Sequence, residues 1–460
     1  MGRRVRRPNE QLAELLAEAG CSRRRLACYV VELGRARGIA GLRYDHSSVL
    51  RWLAGEQPRA PVPALVAEVL SGLVGRVVTP AELGMQADDI RPGLGAELPV
   101  SWPDGVRAIT GLWRADTERR DFVTGAAFGV AAYASAGIRW LTLPGTEPAS
   151  AGTGRRIGPE EVGGLREISR TYRALDNRLG GGQLRGAVVQ LLDRQVTPLL
   201  AGASYTEDTG RDLAGAAAEL AQLVGWMAYD AEQHGLAQRY LIQALGLARL
   251  AGDAALGAEI LAAMSQQAVY VARPDQAIDL ARVAQAAART AGSAVLLAEC
   301  HVAEAHGHAA RNDARACAAA LGDADRAFGQ AAPGEEPAWL AYFDEAYLAA
   351  RMAQCFRDLG QGRQAARFAR RSLDMNHAYV RGRAFNLALL GTALAQQGQV
   401  EEACAAGTRA IEIAAGLRSR RSIRYVLDLR RRLAGYADQP QVREFSQRAA
   451  RLSAARAAPR

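Results

Sequence analysis

Lysine is absent from this chain of 460 residues: all 57 Lys-or-Arg positions are arginine. Together with heavy use of Ala and 47 Gly, this reflects the codon usage of a GC-rich genome. It also removes the Lys that a phosphate-cradling Gly loop requires. The clusters Gly152-x-Gly154-x-x-x-Gly158 and Gly180-x-Gly182-x-x-x-Gly186 follow no expected strand and read as turns. No apolar run is long enough for a bilayer span, because the longest candidate, Phe122–Leu143, is broken by charge and Gly. The basic stretch Met1–Arg7 is not followed by the apolar core of a signal peptide, so the cytoplasm is the expected location. The six cysteines form no C-x-x-C pair, which argues against a disulfide framework or zinc ribbon and suits buried, reduced thiols.

Period-2 alternation is nearly missing as well. Apolar residues recur three and four apart, so the expected class is all-α. No Ser/His/Asp or Cys/His arrangement stands above chance, and no enzyme is expected. His301 and His308 share a helix face while His306 points elsewhere, so no tight ligand set forms with Cys300 and Glu304. Neither a metal nor a cofactor is expected.

What is present is unevenly distributed. Residues 1–60 carry a net charge of +6 and residues 409–460 carry +9, leaving the intervening 348 residues at −6. A basic head on a mildly acidic body suits a polyanionic partner. Runs such as Arg430-Arg431-Arg432 in the tail read first as a solvated face. Breaks rich in Gly and Pro suggest an N-terminal domain at 1–87, a helical connector at 104–210 with a linker at 144–159, repeats at 212–415 and basic capping helices at 416–460. A further turn-rich break is expected at Arg91–Pro103.

The repeats are the strongest architectural signal. Small residues recur at spacings of 12 and then 7: Gly225, Ala237 and Ala244; Ser265, Ala277 and Ala284; Ala305, Cys317 and Ala324; Ala353, Ala365 and Ser372; Gly391, Ala403 and Ala410. Successive units start 40, 40, 48 and 38 residues apart. Each fits two antiparallel helices that approach closely at small side chains. In two units the turn carries Gly360 or Gly398, where a positive φ is wanted. The pattern, most clearly Leu390-Gly391 with Gly398, Ala403 and Ala410, resembles the tetratricopeptide repeat, with longer units and no closing Pro. That resemblance implies a helical solenoid with a concave groove lined by Gln222, Trp226, Tyr229, Gln266, Tyr270, His306, Tyr347, Gln354 and Arg357. Such side chains suit peptide backbones or amphipathic ligands, although aromatic residues at helical spacing also pack between helices. Glu219, Glu259 and Glu299 fall one 40-residue period apart. The plainer reading is favourable charge near three helix N-termini, and the other is an acidic ladder for a cationic ligand.

At the N-terminus, Leu12, Leu15 and Leu16 form one apolar face, Gly20 closes that helix and Ser22 caps the next, whose inward face is Leu26, Ala27 and Val30. A third helix is expected from about Asp45 to Ala54, burying Val49, Trp52 and Leu53 and ending at Gly55. The pattern Leu12…Gly20-x-Ser22…Leu26-Ala27 with Val49-x-x-Trp52-x-x-Gly55-x-x-Pro58 resembles the lambda-repressor-like (xenobiotic-response-element) helix-turn-helix family, with a lengthened connection at Gly34–Tyr44. This implies double-stranded DNA as a partner, with Arg23, Arg24, Arg25, Arg43, His46, Ser47, Ser48 and Arg51 facing it. As a whole the chain resembles the NsdA-like actinomycete regulators that couple a helix-turn-helix to tetratricopeptide-like repeats. Arg7-Pro8-Asn9, Val49-x-x-Trp52-Leu53-x-Gly55-Glu56-x-Pro58-Arg59, Gly111-Leu112-Trp113-Arg114-Ala115-Asp116 and Gly225-Trp226-Met227-Ala228 carry that likeness. It implies transcriptional control of development or secondary metabolism. A homodimer reading two half-sites, and a peptide, small molecule or protein in the groove, are the expected partners, with no membrane. The rival expectation is a repeat scaffold whose basic head meets an acidic protein surface. An enzyme would need an unrecognised site between residues 104 and 210.

Overall fold

The computed structural model describes residues 8–36, 42–58, 62–74, 78, 82–85, 94–118, 128–143, 154–331 and 336–457. Helices dominate, and among the described residues the only β-type pairing is an isolated bridge between Arg156 and Ser204. The all-α expectation holds. Two compact units emerge, Met1–Gly93 and Leu94–Arg460.

The first unit contains α1 (Glu10–Glu18), α2 (Arg23–Ala36), α3 (His46–Leu53) and α4 (Val62–Val74). Gly20 and Gly55, both at positive φ, follow α1 and α3 where the sequence placed the ends. Leu12, Leu16, Leu26, Val30, Val49 and Trp52 share one core with Leu65, Val66 and Leu70 of α4. Asn9 caps α1 through Leu12 N at 3.0 Å, and its amide donates to Leu83 O at 2.8 Å, tying both ends of the unit together. Part of the connection expected at Gly34–Tyr44 is helical, because α2 continues to Ala36; residues 37–41 lie outside the described residues. So do Arg7, Arg59 and residues 91–93 of the expected Arg91–Pro103 break.

In the second unit, α5 (Trp102–Glu118) and α6 (Val130–Thr142) precede α7 (Pro159–Leu179) and α8 (Gly181–Leu191). Residues 119–127 and 144–153, which hold the start of the apolar Phe122–Leu143 stretch and most of the expected 144–159 linker, lie outside the described residues. A π turn at Leu192–Val196 joins α8 to α9 (Thr197–Gly202). Five antiparallel pairs follow: α10 (Glu207–Asp230) with α11 (His234–Ala251), α12 (Ala254–Tyr270) with α13 (Pro274–Ala291), α14 (Ala294–Ala310) with α15 (Ala314–Phe328), α16 (Glu345–Asp358) with α17 (Gly362–Arg371), and α18 (Val380–Ala395) with α19 (Val400–Gly416). A sixth pair, α20 (Arg420–Arg432) with α21 (Pro440–Ala457), ends the array.

The turn inside each of the five pairs has one residue in the left-handed region: Glu232, Ala272, Asn312, Gly360 and Gly398. These positions repeat the 40-, 40-, 48- and 38-residue offsets of the small residues, an independent mark of the register. Three of the five are not Gly, so the turn geometry is held by packing rather than by residue type. Thr206, Asp253, Ser293, Asp344 and Ser419 cap the first helix of five pairs by accepting from a backbone N–H in the first turn.

The connector is not separate from the repeats. Arg239, Gln243 and Arg249 of α11 donate to carbonyls of Leu94, Glu97 and Pro99, at 3.0, 2.8 and 2.6 Å. Asp116 of α5 is buried between Arg185 of α8 and Tyr240 of α11, whose hydroxyl donates at 2.8 Å. The array also closes: α7 packs on both α10 and α18, and Gly181 N donates to Asp230 Oδ2 at 3.2 Å. A Cβ at Gly181 would lie 2.6 Å from Met227 Cα and 2.7 Å from its carbonyl oxygen. Backbone atoms cannot step aside as a side chain can. Gly181→Ala is therefore expected to lower unfolding stability by about 2 kcal/mol, read from urea denaturation.

Candidate functional site

Helix α3 starts at a capping box. Asp45 Oδ1 accepts from Ser48 N at 3.0 Å, Ser48 Oγ at 3.0 Å and Ser47 Oγ at 2.7 Å. These bonds, Ser47's first, hold the Asp45 carboxyl down at about 2. One expectation is corrected here: Ser48 does not face outward but is buried, its hydroxyl serving the cap and accepting from Arg51 Nη2 at 3.3 Å. A serine three residues after an N-cap Asp satisfies orphan backbone groups by turning inward. His46, Ser47 and Arg51 are exposed on α3, as are Arg43 before it and Arg23, Arg24 and Arg25 at the start of α2, which packs on α3. Arg25 Nε donates to Tyr29 OH at 3.1 Å. Leu50, 41% exposed among these polar residues, was not among the residues expected on this face.

In the second unit, the first helices of the repeats surround a cavity that opens to solvent. Gln222, Trp226, Gln266, Tyr347 and Gln354 line it. Tyr229, Tyr270, His306 and Arg357 line an adjoining cavity, to which Gln266 and Gln354 also contribute. All nine residues named from the sequence thus meet in two neighbouring hollows, several already engaged. The Arg421 guanidinium lies 4.2 Å from the Tyr229 ring centre and 5.0 Å from that of Trp226. Tyr270 OH donates to Glu232 at 2.6 Å. His306 Nε2 is 3.1 Å from Asp358; burial lowers the imidazole pKa against the pull of that carboxylate. Burial acts to raise Asp358, but Arg357 at 2.7 Å and His306 outweigh it and hold the carboxyl well below its usual range.

The acidic series is corrected too. Glu219, Glu259 and Glu299 are not at helix N-termini: each follows at least one full turn of its helix and is buried. Glu219 pairs with Arg166 at 3.4 Å, while Glu259 and Glu299 line the Trp226 cavity. Burial pushes Glu259 up to about 7; burial and then the neighbouring Glu259 push Glu299 up to about 8.

Two wall residues had no sequence signal of their own. The segment between α15 and α16, with a 3₁₀ turn at Ala338–Leu340, brings Trp339 and Tyr342 into the cavity. The only hint was the 48-residue offset, eight longer than the two before it. Residues 332–335 lie outside the described residues. Arg421, from the basic tail, is likewise buried, whereas Arg431 and Arg432 are exposed and pair with Asp428 at 2.9 and 3.1 Å.

No helix among the described residues is long and apolar enough to cross a membrane. No curated protein matches the chain. Residues 12–86, spanning α1 to α4, are similar to the SP15 N-terminal domain, whose family model matches them.

Proposed function

We propose that this chain is a sequence-specific DNA-binding transcription regulator, controlling development or secondary metabolism, whose repeat unit senses a peptide, small molecule or protein partner. The observation that carries the reading is α3: Val49 and Trp52 anchor it in the core while His46, Ser47, Leu50 and Arg51 face solvent beside the exposed arginines of α2. A short, rigidly capped helix with one polar face suits the major groove, where Arg reads guanine and an apolar side chain meets the thymine methyl. The basic surplus of residues 1–60 supplies phosphate contacts. In this reading the protein acts in the cytoplasm as a homodimer, and a ligand in the repeat cavity changes how the two readers are presented.

Genome-fragment pull-down with the full chain, followed by salt titration on enriched DNA, tests it. A discrete enriched site whose affinity falls steeply with salt is the expected result. Arg51→Ala should weaken that site by about 1–3 kcal/mol, some 5- to 150-fold, and leave non-specific binding nearly unchanged. Weak, sequence-indifferent binding by wild type would overturn the reading in favour of a protein scaffold.

A further inference from the structure

The cavity lined by Trp226, Glu259 and Glu299 has a chemical asymmetry that indicates its ligand. Its four wall arginines already have acceptors. Arg381 lies 2.8 Å from Asp176, and Arg421 Nε donates to Asp230 at 3.2 Å. Arg173 donates to Gln222 at 3.1 Å and Arg351 to Gln354 at 2.7 Å. The carboxyls are not matched in the same way. Glu259 and Glu299 are 5% and 8% exposed, and among the described residues neither has a guanidinium at ion-pair distance. Glu259 Oε1 accepts from Gln222 Nε2 at 2.9 Å, and Glu299 Oε1 accepts from Tyr342 OH at 2.7 Å. The same hydroxyl is 3.4 Å from Glu259 Oε1, but it has one proton to give.

Oε2 of each glutamate is buried without a hydrogen-bond partner, as is Asp176 Oδ1. The one wall donor in the same condition is Arg381 Nη1, which sits at ion-pair distance from Asp176 and Asp230. Unmatched buried polar atoms are costly, and here the unmatched side is chiefly acceptor. What the cavity lacks is a donor. The aromatic wall residues Trp226, Tyr342 and Tyr347 offer faces on which a cation is attracted to the ring.

We propose that this cavity binds a compact organic cation, an amine or guanidinium on a short apolar or aromatic body, whose N–H groups are taken by Glu259 and Glu299. The proposal rests on the reading of the repeat unit as a sensor and names its ligand class. It returns to the 40-residue acidic series, of which Glu219 is answered by Arg166 while the other two each keep one oxygen, Oε2, without a partner. Binding selects the ionised carboxylates. The groups facing the pair are Tyr342 from the loop, Tyr347 and Arg351 from α16, Arg173 from α7 and Cys300 on α14. With both carboxyls raised, a cation entering at neutral pH displaces a proton.

Calorimetry on the full chain with tyramine and agmatine, and with tyrosol (tyramine's body without the amine), tests this. Expected is binding of at least one cation at tenfold or greater preference over tyrosol. Release of about one proton or slightly more should appear when two buffers of different ionisation enthalpy are compared at pH 7, with affinity rising at least about a hundredfold from pH 6 to pH 8.5. Glu259→Gln/Glu299→Gln should abolish both binding and proton release while keeping the helical circular dichroism. If that pair fails to fold, each single substitution should lower cation affinity at least tenfold. No binding by either cation, equal binding of tyrosol, or undiminished binding by a folded Gln variant would overturn the proposal. Tyrosol binding alone would keep the sensor and remove the cation. Cation binding by a chain that enriches no DNA site would keep the cavity and remove the regulator.

Discussion

Raising the pH from about 5 to about 9 is expected to remove on the order of 6 kcal/mol of unfolding stability from the wild-type chain relative to Glu259→Gln/Glu299→Gln. The cause is desolvation of two carboxyls in one cavity, each a neighbouring charge to the other. Their folded values stand at about 7 and about 8 against an ordinary 4.5. Between 4.5 and 8 the folded chain therefore binds more protons than the unfolded chain, and stability falls as pH rises. Below that window the contribution is complete, and above it no further loss follows. Half-buried His234 and buried His306, with lowered values, act in the opposite sense at acid pH, so the comparison with the Gln variant isolates the pair. Urea midpoints for both proteins at the two pH values measure it. A wild-type-minus-variant difference that does not change with pH would show that the carboxyls are solvated.

Asp230→Ala is expected to destabilise the chain by about 3–5 kcal/mol. Asp230 is fully buried and accepts from Gly181 N at 3.2 Å, Ser419 Oγ at 2.9 Å and Arg421 Nε at 3.2 Å, with Arg381 at 3.6 Å. It holds the end of the first repeat helix against the start of α8 and against α20, where the array meets itself. Removing it leaves two buried guanidiniums with less compensation and frees an N–H at the tight Gly181 junction. Asp230→Asn, which keeps one acceptor oxygen, should lose about half as much. Urea unfolding followed by circular dichroism provides the measurement. A loss below about 1 kcal/mol would mean that the closure contributes little.

Local signals were legible wherever short-range chemistry decides. Asp45, Ser22 and Gly55 marked helix boundaries because caps and positive-φ turns constrain neighbours in the chain. The 12-and-7 spacing marked the repeats because close helix approach needs a small side chain at each crossing. Even there, Ser48 could be misassigned: a residue in a first helical turn faces out by periodicity, yet its hydroxyl is drawn inward by the orphan amides.

Side-chain neighbours across the array were not legible. Asp230 and Arg421 are 191 positions apart, and nothing local in either marks the other. The glutamates looked like helix-start charges, yet each lies at least one turn inside its helix. Tyr342 and Trp339 sat in a segment noticeable only for its length. The sequence by itself determined the helical class, the repeat register and the apolar anchors of the N-terminal helices, since these follow from periodicity and backbone hydrogen bonding within a few residues. Only the tertiary structure decided that the array closes on itself, that the connector covers its first repeats, and that two carboxyls approach one tyrosine hydroxyl in a cavity wall. Those outcomes depend on the accumulated angles of successive helix pairs, to which every crossing contributes a little and no single residue contributes enough to read.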